Sequence, residues 1–143
     1  MTFSIVARDA ETGHLGIAIS TAVPNVGGKC PYARAGVGAV SSQASSNPYL
    51  ALYALTLMER GASANEALEQ VISWDPGRAN RQLHIVDVLG NSAAYTGDGN
   101  VTWCGHHTGK GFSVAGNMLV GAETIEAMAK SFQASNGPLS DRL

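Results

Sequence analysis

The sequence contains no apolar run approaching the ~20 residues that a helix needs to span a bilayer. Its N-terminus, MTFSIVARD, carries an aspartate where a secretory leader keeps an apolar core. Both absences predict a soluble, cytoplasmic protein. Charge is scarce as well: Asp, Glu, Lys and Arg make up 14% of 143 residues, and the net charge is −2. With no run of Lys or Arg to neutralise phosphates, a nucleic-acid partner is excluded. So few charges also leave much surface to be covered, which predicts a homo-oligomer. The two cysteines, Cys30 and Cys104, stand alone outside any CxxC pair, so neither a disulfide nor a zinc site is expected. His84, His106, His107, Cys104 and Asp98 lack HxH or HExxH spacing, and adjacent histidines project in different directions, so no metal is expected. GxxxxGK(S/T), GxGxxG and GxSxG are all missing, which removes phosphate-cradling loops and serine-hydrolase elbows. No cofactor is expected.

What is present is apolar and turn-rich: 45% hydrophobic residues and seventeen glycines, enough for one compact domain over residues 1–143. Alternation predicts strands at 3–8 and 15–21, joined as a hairpin by the turn at 9–13. Residues 24–31 read as a loop, and 37–43 as a third strand. Ser45, Ser46, Asn47 and Pro48 form a helix-start signature, followed by helical spacing of Leu50, Tyr53 and Leu57 up to Gly61. Ser63 and Glu66 form a capping box that opens a second helix with Leu68, Val71 and Ile72 on one face. Residues 82–89 read as a strand with apolar side chains on both faces, and 90–91 turn it into a strand at 92–96. The segment 97–110 reads as a loop, 112–119 as a strand and 121–132 as a helix. The tail after it reads as polar and turn-prone. Arg78, Arg81 and Asp87 are expected to pair at strand ends. The resulting order, βββααβββα, excludes a doubly wound parallel sheet and predicts an α+β fold of antiparallel sheets covered by helices.

Six segments, MTFSIVARD, TGHLGIAIS, VGGKCPYARAGVGAVSSQASSNP, DPGRANRQLHIVD, AAYTG and GNMLVG, together resemble the bacterial domain-of-unknown-function 1028 family, which is grouped with the N-terminal-nucleophile (Ntn) hydrolases. The resemblance covers essentially the whole chain. It implies a four-layer α-β-β-α sandwich of antiparallel sheets. Similar proteins continue beyond the position of Leu143, so the resemblance also implies that the last strands are missing and that another subunit covers the exposed edge.

The resemblance makes Thr2 a candidate nucleophile, acting once Met1 is removed and its own α-amine can serve as base. The competing reading is an easily processed terminus with no chemistry. Ser20 and Thr21 end the second strand and are candidates to flank Thr2, against a reading as plain strand hydroxyls. Gln43 is a candidate for binding a substrate amide or carbonyl, and Asn117, in a turn, for an oxyanion hole. Asn47 is a substrate-binding candidate or a helix cap. Lys29 reads as a surface lysine. The function expected is hydrolysis of an amide or related C–N bond in a small molecule; the alternative is a non-catalytic metabolite-binding or oligomeric scaffold of the same fold.

Overall fold

The computed structural model describes residues Met1–Leu143. The elements are β1 (Thr2–Arg8), β2 (Leu15–Thr21), β3 (Pro31–Arg34), β4 (Gly38–Ala44), α1 (Pro48–Glu59), α2 (Ala64–Trp74), β5 (Arg81–Asp87), β6 (Ser92–Thr96), β7 (Trp103–Gly109), β8 (Phe112–Leu119), α3 (Glu123–Ala134) and α4 (Leu139–Arg142). They form a mixed α/β protein with two antiparallel four-stranded sheets, ordered β2-β1-β8-β7 and β3-β4-β5-β6.

Local chemistry accounts for the elements the sequence made legible. Asn47 caps α1 by accepting from Tyr49 N at 3.2 Å, and Pro48 occupies the first turn, where its missing N–H has no partner to lose. Gly61, at φ 100, follows the end of α1 in a backbone region that L side chains rarely adopt. The Ser63–Glu66 capping box is present at α2 in both directions.

Three expectations are corrected. β7 is a strand, not a loop, and β3 is a strand that overlaps the loop expected at 24–31 only at Pro31 and otherwise falls on residues given no element. Each lies at a sheet edge and takes its extended shape from pairing with β4 and β8, so neither needs the alternation that marks a central strand. The tail folds into α4, whose Leu139 is buried against Gly16 of β2, in the same apolar cluster as Phe132 of α3. Arg81 does pair, but with Asp75, at 2.7 Å. Asp87 instead accepts backbone N–H groups from Ala64, Leu89 and Asn91 and the Asn91 side-chain amide.

Strand alternation sorts the side chains into faces. Val40, Leu83, Ile85 and Ala93 pack with Leu50, Leu55, Leu68 and Val71 of α1 and α2. On the other sheet, Ile5, Ala7, Phe112 and Val114 pack with Ile125, Ala129 and Phe132 of α3. The two opposite faces meet each other, since Val6 of β1 clusters with Ala39 and Val86 of β4 and β5. What fills the space between the sheets therefore decides what the molecule can do.

Candidate functional site

The layer between the sheets changes character along the strands. At one end it is apolar: Val6, Ala39 and Val86, with Leu15 and Ile17 against them. Toward the start of β1 it becomes polar. Ser4, Ser41, Gln43, Gln82, His84 and Asn117 are all buried there, although a sandwich needing only stability would fill such a layer with aliphatic groups. Thr2 stands at this polar end.

Every side-chain hydrogen bond in the layer joins neutral groups. His84 Nε2 lies 2.7 Å from Ser4 Oγ, and Ser4 donates to Gln43 Oε1 at 2.6 Å. Gln43 Nε2 donates to Gln82 Oε1 at 2.8 Å, which also accepts from Asn117 Nδ2 at 3.0 Å. Gln82 Nε2 faces three oxygens: Gly116 O at 2.8 Å, Gly105 O at 3.0 Å and Thr96 Oγ1 at 3.0 Å. Thr96 Oγ1 in turn meets His106 Nδ1 at 2.9 Å. The Ser4–His84 bond runs in the direction set by the imidazole tautomer, and His84 Nδ1 has no hydrogen-bond partner. Complete burial pushes the His84 pKa down to about 3; the neighbouring Ser113 backbone opposes the shift but lies outside hydrogen-bond geometry to Nδ1. His106 is also lowered, by burial and then by His107.

Thr2 is paired in register with Thr21 on one side and Asn117 on the other. The two threonine hydroxyls are 2.9 Å apart, and Thr21 Oγ1 also donates to Met1 O at 3.2 Å. Met1 N lies 3.7 Å from Met118 Sδ, so with Met1 attached the Thr2 nitrogen is a peptide amide. The strands approach closely here: a Cβ on Gly116 would come within 3.0 Å of Thr2 O.

The structure thus brings Thr2, Thr21, Gln43 and Asn117 to one end of one layer, and leaves out two other candidates. Ser20 pairs with Phe3, one residue out of phase with Thr2, so it points to the opposite face of the sheet and is exposed. Asn47 is a helix cap, tied by its backbone to Ser42 Oγ on the helix-covered side of β4. Asn117 is also not in a turn. It lies within β8, where a bulge opposite Trp103–Gly105 puts Met118 at φ 55. The extra residue sends Leu119 to the α3 side while Asn117 stays between the sheets.

Sequence reasoning missed Gln82 and His84 as members of this layer. The signal is the alternation of Gln82, His84 and Val86 along β5, whose Leu83 and Ile85 on the other face make the strand read as apolar on both. An open groove of about 1310 Å³ lies elsewhere. It runs between the β1–β2 turn and the C-terminal residues, past Asp9, His14 and Arg142, and none of Thr2, Gln43 or Asn117 lines it. No group of His, Cys, Asp and Glu is placed to hold a metal ion, and no helix is long and apolar enough to cross a membrane.

The chain belongs to the Family of unknown function DUF1028, which matches residues 2–143. It is similar to a crystal structure of a DUF1028 protein from Silicibacter pomeroyi, with 37% sequence identity and a TM-score of 0.96. That match covers 99% of this chain and 63% of the other, so the chain spans less than two thirds of the relative's length. No curated protein matches the chain.

Proposed function

We propose that the chain is an Ntn-type hydrolase of an amide or related C–N bond in a small molecule, with Thr2 as nucleophile after removal of Met1. The observation that carries this reading is the gradient between the sheets, whose buried polar end coincides with the start of β1. On this reading the helices α1 and α2, the two sheets and α3 are the layers of a four-layer Ntn sandwich, a more specific description than the two-sheet fold itself.

Removal of Met1 turns the Thr2 nitrogen into an α-amine with a pKa of ~8, so a useful fraction is neutral near pH 7. That amine takes the Thr2 hydroxyl proton as Oγ1 attacks the substrate carbonyl carbon. The tetrahedral intermediate collapses as the amine returns the proton to the leaving nitrogen, leaving an acyl ester on Thr2. Water then hydrolyses the ester, with the amine again as base. Thr21 Oγ1, at 2.9 Å, holds the nucleophile's hydroxyl in place beforehand. The uncharged amides behind it suit a neutral amide or carbonyl group better than a phosphate or carboxylate.

The first measurement is the mass of the intact native protein, which should show Met1 gone. Thr2→Ala should then abolish turnover of any substrate found in an amide library. Quantitative retention of Met1, or full turnover by Thr2→Ala, would sink the proposal.

A non-catalytic oligomeric protein of the same fold is the second reading. It is favoured by three exposed aromatics on α1 and α2: Tyr49 and Tyr53 stack with centroids 6.3 Å apart, and Trp74 meets Tyr53 edge-on at 6.3 Å. Its test is the mass in solution.

A further inference from the structure

Gln82 is held in one orientation by its surroundings. Its Nε2 faces two backbone carbonyls and a hydroxyl, so exchanging the amide oxygen and nitrogen would set an acceptor against the two carbonyl oxygens. Its Oε1 therefore faces Gln43 and Asn117 as an acceptor, and both neighbours must present N–H to it. This fixes Asn117 in turn. Its Nδ2 is turned inward onto Gln82 Oε1, and its Oδ1 is left without a partner in the chain. Oδ1 is also not among the fully enclosed orphan atoms, which are Arg8 Nε, His84 Nδ1 and Ser113 Oγ, so it keeps contact with solvent although Asn117 as a whole is buried. Thr2 is the residue directly across the ladder on the same face.

We infer that Asn117 is a positioning residue for the terminal amine: its Oδ1, aimed by the Gln82 socket, accepts a hydrogen bond from the α-amine of Thr2 once Met1 has left. The inference rests on the reading of Thr2 as nucleophile. It differs from an oxyanion role for Asn117, which would need the amide nitrogen facing outward. A carbonyl acceptor beside the amine binds its N–H groups and so turns its lone pair toward the Thr2 hydroxyl. The socket adds precision without adding charge, since Gln43, Gln82 and Asn117 are neutral amides.

The test uses protein cut from an N-terminal fusion so that Thr2 is residue one, and follows the α-amine by NMR titration with ¹⁵N-threonine. Asn117→Ala removes an acceptor that favours the charged amine, so its pKa should fall by a few tenths of a unit. Asn117→Asp should raise it by roughly one unit, as a carboxylate in contact does. Ser20→Asp, on the opposite face of the sheet, is the control for charge without contact and should raise it far less. Circular dichroism identifies which variants fold. If Asn117→Asp does not fold, the Asn117→Ala titration decides alone. An amine pKa unmoved by Asn117→Ala, or raised equally by aspartate at either site, overturns the inference. Loss of turnover in Thr2→Ala combined with an Asn117-insensitive amine overturns this inference and leaves the nucleophile standing. An Asn117-sensitive amine with full turnover in Thr2→Ala does the reverse.

Discussion

His84 shows how much a single residue's meaning depends on where it is buried. In the sequence it is one of four histidines; in the fold it is fully enclosed, hydrogen-bonded to Ser4 through Nε2, and carries an unpartnered Nδ1. Its folded pKa of about 3 lies below the value near 6.5 of an unfolded histidine, so the unfolded chain binds the extra proton as pH falls. The stability that depends on its neutrality is complete above pH 6.5. It declines by about 1.4 kcal/mol per pH unit below that, until native His84 itself protonates near pH 3. His106, lowered by burial, acts in the same direction. Asp9, Glu66 and Asp75 are held below their ordinary range by hydrogen bonds to Thr12, Ser63 and Arg81, so their contributions are complete above about pH 4.5 and are lost as pH falls below it, overlapping the acid end of the His84 range. Urea unfolding at pH 7.5 and 5.5 should show the decline, and His84→Gln, which keeps an N–H donor but does not titrate, should reduce it. An unchanged pH dependence in His84→Gln would mean that native His84 is not held neutral.

Among the elements, those with their own local code were legible and those defined by a neighbour were not. Asn47, Pro48, Gly61 and the Ser63–Glu66 box mark α1 and α2 in the sequence, because each satisfies a terminal backbone group within a few residues. β3 and β7 carry no such code, since an edge strand borrows its hydrogen bonds from the strand beside it. The bulge in β8 is similarly silent in the sequence, although it separates Asn117 from Leu119. Met118 occupies its left-handed position at φ 55, where a side chain costs about 1–2 kcal/mol relative to glycine. Met118→Gly should therefore raise the unfolding midpoint in urea, and Met118→Val should lower it. A midpoint that falls in Met118→Gly would show that the Met118 side chain, half-exposed beside Met1 N, contributes more than its backbone strain removes.

At the scale of the molecule, the surface offers Tyr49, Tyr53 and Trp74 as one exposed aromatic cluster, at 64%, 51% and 54% exposure. Burying such rings in a second copy would satisfy the expectation of an oligomer drawn from scarce charge. Sedimentation should then report at least twice the 14.8 kDa chain mass, and Tyr53→Glu should return it to the monomer. A monomeric wild type contradicts assembly. The sequence by itself determined the class of fold and the boundaries of α1 and α2, because periodicity and caps are written within a few residues. It also put Thr2 next to the first strand, with Ser20 and Thr21 as its candidate neighbours. Only the tertiary structure decided that Ser20 faces away, that Asn47 serves its helix, and that Gln43, Gln82, His84 and Asn117 share one buried layer behind Thr2. Those facts depend on which face of one sheet meets which face of another, a pairing between residues up to 80 positions apart. No local pattern encodes that pairing.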